Sequence, residues 1–277
     1  MFGTDVPYRF PPPWRKLNPL MSDIIFGIHA VSEALKSRER SFDYVAIAKD
    51  RTDPRIQRII DDCRESGVSV RFVRREEIDR ETRTRTHQGV MAFTSRKKFS
   101  DLDDILEHKR GQHAFVLVLD GIEDPHNLGA LMRSADGSGV DGVVIPERRA
   151  AGITGTVVKA SAGASEHLSV SRVVNIARAL EDLKERNVWV VGLDERGGQS
   201  YDELDYNMDC ALVLGAEGKG LHDLVRKKCD LLVSIPMMGQ VASLNVSVAG
   251  GIVMYEVLRQ RRNAMKKIEP YVKSKSK

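Results

Sequence analysis

Three short stretches hold the residues that could do chemistry. In the first, Asp124-Pro125-His126-Asn127 leads through Leu128-Gly129-Ala130 to Arg133. In the second, Glu217 stands inside Gly215-Ala216-Glu217-Gly218-Lys219-Gly220. In the third, Ile235-Pro236-Met237-Met238-Gly239 precedes Ser243, Leu244, Asn245 and Ser247. A cation, a carboxylate and several amide and hydroxyl groups are the ingredients of a ligand cradle. Each stretch alone also has a plain structural explanation. Asn127, Ser243, Asn245 or Ser247 would serve as a helix N-cap, Arg133 as a surface cation, and Glu217 as a solvated acid in a glycine turn.

The elements around them favour the cradle. Ala114 to Leu119 is apolar and branched, the pattern of a strand buried on both faces, and a helix is expected from about Leu128. Ala211 to Leu214 runs into Gly215, and Leu231 to Ile235 runs through Pro236 and Gly239 into an apolar helix reaching about Arg262. Further strands are expected at Gly142 to Pro146 and Val188 to Leu193, with helices between. Alternation of this kind predicts an α/β fold with a mainly parallel sheet. In such sheets ligands bind beyond the carboxyl ends of the strands, where all three stretches fall. A dinucleotide enzyme is disfavoured. No GxGxxG follows the first strand, and Pro146 stands where an acid should end the second.

Taken together and in this order, Asn127-Leu128-Gly129-Ala130 with Arg133-Ser134-Ala135, Leu214-Gly215-Ala216-Glu217-Gly218, and Ile235-Pro236-Met237 with Ser243-Leu244-Asn245-Val246-Ser247 resemble the three motifs of the SpoU (TrmH) family of RNA ribose 2′-O-methyltransferases. The resemblance runs from about Ile24 to Arg262 and is nearest to the branch acting on guanosine in bacterial 23S rRNA. It implies a SPOUT fold with a trefoil knot at its carboxyl-terminal part, S-adenosylmethionine as cofactor, and a homodimer through that domain in which the partner completes each site. By the same resemblance, Gly215, Ala216, Ile235, Pro236, Met237 and Leu244 hold the cofactor. Arg133, Asn127, Glu217, Ser243 and Asn245 form the catalytic group, with Asn127 positioning Arg133 or the ribose and Glu217 bracing Arg133 or the cofactor amine. No metal is assigned. The paired Gly250-Gly251 fits close approach of another backbone to the last helix, because each glycine there costs about 1 kcal/mol against alanine.

Residues 24–95 read as a smaller α/β unit, and the resemblance implies an RNA-binding module of the ribosomal protein L30e type. Its densest basic stretch supplies Arg71, Arg74, Arg75, Arg80, Arg83 and Arg85, balanced in part by Glu76, Glu77 and Glu81. With RNA in view these arginines are expected phosphate contacts, and His87 a further RNA contact. Residues 96–113 are polar and read as a linker carrying a short helix, free to flex. Residues 114–262 form the methyltransferase domain. Residues 1–23 read as a leader or extension, and residues 263–277 as a disordered basic tail.

The chain has 277 residues, 42% hydrophobic and 30% charged, with a formal charge of +4. These values describe an ordinary globular protein that permits a nucleic-acid partner without demanding one. Cys63, Cys210 and Cys229 form no CxxC pair and suit a reducing, cytoplasmic setting. No apolar run is long enough for a membrane span. The same chemistry on tRNA or another rRNA site is the nearest alternative. A non-catalytic RNA-binding assembly factor is a further one, disfavoured because every motif residue is present.

Overall fold

The computed structural model describes residues 22–50 and 53–275; the expected leader lies outside them. Two sheets form. The first has four strands, β1 (Ser22–Phe26), β2 (Phe42–Ala48), β3 (Val70–Val73) and β4 (Val90–Ser95), in the order β1-β4-β2-β3. Only the β2–β3 pair is parallel. Helices α1 (Ile28–Ser37), α2 (Pro54–Glu65) and α3 (Arg75–Thr82) connect these strands. Asp53 caps α2 by accepting from the Arg55 amide, with Pro54 at the first helical position, as Asp-Pro predicts.

Helix α4 (Leu102–Glu107) leads into the second unit. Its strands are β5 (Phe115–Asp120), β6 (Gly142–Pro146), β7 (Ser169–Val173), β8 (Trp189–Leu193), β9 (Gln199–Ser200), β10 (Cys210–Gly215) and β11 (Leu231–Ser234). The order is β7-β6-β5-β10-β8-β11-β9, and every pair is parallel. Helices α5 (Pro125–Ser138), α6 (Gly155–Ala160), α7 (Ile176–Glu185), α8 (Asp223–Lys228) and α9 (Val246–Lys275) cover it. The apolar β5 and β10 runs are buried at every position, as expected for central parallel strands. Strands β1, β7 and β9 carry no strong period and were not expected. Among the described residues no helix is long and apolar enough to cross a membrane.

Several expectations are corrected. The segment 96–113 is not a free linker: Ile105 is buried in the core beneath β5 and β6, and Arg186 grips Asp103 with Nε to Oδ1 at 2.6 Å. The last helix does not stop at Arg262 but continues to Lys275, where a disordered tail was expected. Arg, Ala, Met and Lys there are all good helix formers. Gly250 meets side chains rather than another backbone. A Cβ there would fall 2.6 Å from both Leu131 Cδ2 and Leu214 Cδ1, whereas Gly251 is not crowded.

The two sheets are joined through a buried cation. The Arg40 side chain is fully buried, as is that of Glu166 in a 3₁₀ turn (Ala164–Glu166) after α6. Arg40 donates to Glu166 Oε2 at 2.6 Å and Oε1 at 3.1 Å, to Asp23 Oδ2 at 2.8 Å, and to the Ser95 carbonyl at 3.0 Å. Sequence patterning gave no sign of this pair.

Cys63 and Cys210 are buried and Cys229 is half-buried. Burial pushes the Cys63 and Cys210 thiols up to about 11 and the Cys229 thiol up to about 12. All three should therefore be almost wholly protonated at pH 8 and react with iodoacetamide far more slowly in the native protein than in urea. Mass spectrometry of a timed labelling series checks this; prompt native labelling at Cys63 or Cys210 would contradict the burial.

Candidate active site

The three glycine-containing junctions meet at the carboxyl ends of β5, β10, β8 and β11. Two cavities open there. The first, 360 Å³, is lined by residues after β8 (Leu193 to Arg196), around the end of β10 (Leu214 to Gly220), and along the loop from β11 into α9 (Ile235, Met237 and Ala242 to Val246). The second, 390 Å³, is lined by the loop after β5, by Asn127, by Arg149, and by Lys219 and His222 after β10. They share Ala216, Glu217, Lys219 and Val246.

A closed hydrogen-bonded triangle stands between them. Asn127 Nδ2 donates to Glu217 Oε2 at 3.1 Å. Asn245 Nδ2 donates to Asn127 Oδ1 at 3.0 Å and to Glu217 Oε1 at 3.3 Å. Each corner comes from a different junction, so the triangle forms only when β5, β10 and β11 are correctly ordered. Asn245 does two jobs, since its Oδ1 also accepts the Ser247 amide at 2.9 Å and thereby caps α9. Asn127 is not the N-cap of α5. Asp124 caps α5 by accepting the His126 amide, Pro125 takes the first position, and Asn127 lies within the opening turn.

The Gly215 corner has a steric cause. A Cβ on Gly215 would collide with the backbone of Gly220, which folds back to bridge Ala216. The hairpin-like return fixes Glu217 at its tip. Of the expected cofactor residues, Gly215, Ala216, Ile235, Met237 and Leu244 line the first cavity, as do Ser243 and Asn245; exposed Pro236 does not. Asp194, Glu195 and Arg196 line it too and were missed, although the apolar run to Leu193 breaks directly into these charges. Burial raises the Asp194 carboxyl, but hydrogen bonds from the Arg196 amide and guanidinium outweigh this and hold it below the ordinary range.

Arg133 is not with the others. It is exposed on α5 and lines a third cavity with His29, Glu33 and Tyr255 of α9. Among the described residues it makes no hydrogen bond to Asn127 or Glu217, whose partners are each other and Asn245. Within one chain, therefore, neither Asn127 nor Glu217 braces Arg133.

In the amino-terminal unit Arg71, Arg74, Arg83 and Arg85 are exposed and Arg75 is half-buried. They lie on edge strand β3, on α3 and just beyond it. Arg71 stacks on the Tyr44 ring at 4.0 Å, and Phe72 beside it is 55% exposed, an aromatic surface that sequence reading overlooked. His87 is corrected: its side chain is fully buried, so it cannot meet RNA. Its Nδ1 accepts the Gly89 amide at 2.9 Å, which puts the proton on Nε2, 2.7 Å from Asp79 Oδ1. His87→Ala should cost about 1–3 kcal/mol in urea unfolding by orphaning these groups, and leave RNA affinity of the folded protein unchanged. A selective loss of RNA binding would restore the contact.

The SpoU rRNA Methylase family matches residues 114–255. The chain belongs to that family. Residues 24–100 match the substrate-binding unit of RNA 2′-O ribose methyltransferases, so RNA is the partner class. The SpoU chain is 45% identical over 241 residues to a Bacillus subtilis protein named "Putative TrmH family tRNA/rRNA methyltransferase YacO", covering 86% of this chain and 96% of the relative. It is 41% identical over 245 residues to the 23S rRNA (guanosine-2′-O-)-methyltransferase RlmB of Haemophilus influenzae, covering 87% and 99%. Its fold resembles that of the SpoU methyltransferase AviRb from Streptomyces viridochromogenes, crystallised with AdoMet, at a TM-score of 0.74 and 24% identity over 87% of this chain and 91% of that one.

Proposed function

We propose that this SpoU-family protein methylates the ribose 2′-hydroxyl of a guanosine in 23S rRNA, using S-adenosylmethionine. The observation that carries the reading is the Asn127–Glu217–Asn245 triangle shared by two cavities, one suited to a cofactor and one open to an acceptor.

The first cavity fits the cofactor. Its 360 Å³ lies in the usual range for small-ligand sites, roughly 300–1,000 Å³. Leu193, Leu214, Ile235 and Leu244 offer an apolar wall for a purine. From Ile235 to Leu244 no backbone group bonds to another backbone group among the described residues, which leaves N–H and C=O groups free to read adenine edges. Bound there, S-adenosylmethionine supplies an electrophilic sulfonium methyl. The chain supplies alignment, which can lower a barrier by about 7–11 kcal/mol. Asn127, Glu217 and Asn245 hold one another rigid, so the groups beside the acceptor ribose need not reorganise. Ser243 adds an exposed hydroxyl.

Arg133 enters from a second copy. Its own α5–α9 face is exposed, with Val248 at 51% and Tyr255 at 50%. A homodimer through this face would carry each Arg133 toward the partner's cavities. The guanidinium fork suits phosphate oxygens, so Arg133 acts by charge on the substrate phosphate while the 2′-hydroxyl proton leaves to water or phosphate. The knot implied by the resemblance is part of this proposal. So is the choice of rRNA over tRNA, supported by the separate amino-terminal unit. Titration calorimetry tests the first step: one S-adenosylmethionine should bind per chain, and Leu244→Trp, which fills the cavity, should abolish the heat. Absence of binding by the wild-type chain would sink the reading.

A further inference from the structure

Arg149 is expected from no motif, yet it lines the second cavity beside Asn127 and Glu217. We propose that Arg149, with Lys219 beside it, anchors a backbone phosphate of the RNA acceptor there. The proposal rests on the methyltransferase reading and names the residues that seat its substrate.

Both cations stand on short loops held by backbone hydrogen bonds. The bend carrying Arg149 is tied at one end by the Glu147 amide to Val173 O at 2.9 Å, and at the other by the Ala151 amide to Ile122 O at 2.9 Å. Between these ties Arg149 adopts φ 56°, a left-handed conformation uncommon for a residue with a side chain. Strained backbone of this kind persists where its surroundings impose it, and it gathers at binding sites. Lys219 sits in the return from Ala216 to Gly220, closed by the Gly220 amide to Ala216 O at 2.8 Å.

Charge sorting leaves these two cations over. Glu217 accepts from Asn127 and Asn245, Asp124 accepts the His126 amide, and Asp120 accepts from the His222 ring and amide. Glu123 also lines the cavity. Among the described residues Arg149 and Lys219 make no ion pair. An arginine fork meets phosphate oxygens in bidentate fashion, which fixes position as well as adding attraction. Phosphate contacts of this type set register on a nucleic acid without reading sequence. A ribose seated at the triangle would have a neighbouring phosphodiester within this cavity.

The same two cations would also suit the carboxylate of the cofactor's amino-acid end, because Lys219 lines both cavities. Filter binding of a 23S rRNA transcript separates the sources. Arg149→Gly removes the side chain and suits the left-handed backbone, so the fold should survive with an unchanged melting temperature. RNA affinity should fall about ten- to a hundredfold, and the slope of log K against log salt should flatten by about one. The calorimetric affinity for S-adenosylmethionine should not change. Lys219→Gln should move the RNA terms in the same direction by less. Unchanged RNA affinity and salt slope in Arg149→Gly, or a loss confined to S-adenosylmethionine, would overturn the assignment. If Arg149→Gly loses RNA affinity as expected but the wild-type chain transfers no methyl, the catalytic reading falls and the phosphate anchor stands.

Discussion

Arg133→Ala is expected to lower methyl transfer at least a hundredfold while S-adenosylmethionine binding survives. Removing a preorganised charge from a transition state commonly costs about a hundred- to a thousandfold. Cofactor affinity should hold because Arg133 does not line the first cavity of its own chain. The exposed position of Arg133, away from the Asn127–Glu217–Asn245 triangle, gives the sharper form of the test. If the partner supplies Arg133, an inactive Arg133→Ala chain and an inactive Asn245→Ala chain should regain transfer when mixed and allowed to exchange. One site of the mixed dimer would then have both an intact triangle and an intact arginine. Tritiated-methyl incorporation after mixing reads this directly. Arg133→Ala with wild-type rates would remove the residue from the mechanism. Two inactive variants that never complement would confine each site to one chain.

Glu166→Ala should be the most destabilising single change away from the site. It leaves the fully buried Arg40 with Asp23, the Ser95 carbonyl and a longer contact to the Thr94 hydroxyl as partners. Stranding one member of a buried pair costs about 3–5 kcal/mol, far more than removing both. For a chain of this size that is a fall in melting temperature on the order of 10 °C. The double change Arg40→Met with Glu166→Leu should recover much of it, since neither member of the pair is then left stranded. Calorimetric melting of the single and double variants checks the sign of this recovery. A Glu166→Ala chain that melts like wild type would show that Arg40 reaches water. The pair also ties β1 and β4 to the methyltransferase half, so the single variant should bind RNA less tightly even where it is folded.

The sheet of the second unit was largely legible because buried parallel strands write continuous apolar runs, as at Phe115–Asp120 and Cys210–Gly215. Edge strands escaped notice. Ser169–Val173 alternates weakly, and Gln199–Ser200 is too short to carry a period. The polar corners of the site were legible as motifs, but their mutual bonding was not, since no local pattern says that Asn127 and Asn245 share Glu217. Arg133 was legible as a residue and not as a position, because a helical wheel does not say which cavity lies beyond. His87 was misassigned for a related reason: a polar residue before a strand looks the same whether it faces solvent or bonds inward to Asp79. The Arg40–Glu166 pair was invisible for want of any sequence rule that links residues so far apart.

Transfer of a labelled methyl group to a 23S rRNA transcript, followed by complete alkaline hydrolysis, tests the central claim most directly. Alkaline cleavage needs a free 2′-hydroxyl, so a methylated ribose protects the bond beside it. Label is expected in an alkali-resistant dinucleotide whose methylated member is guanosine, and should be lost in Arg133→Ala. Label released in mononucleotides would place the methyl on a base, and label absent from the RNA altogether would contradict methyl transfer itself.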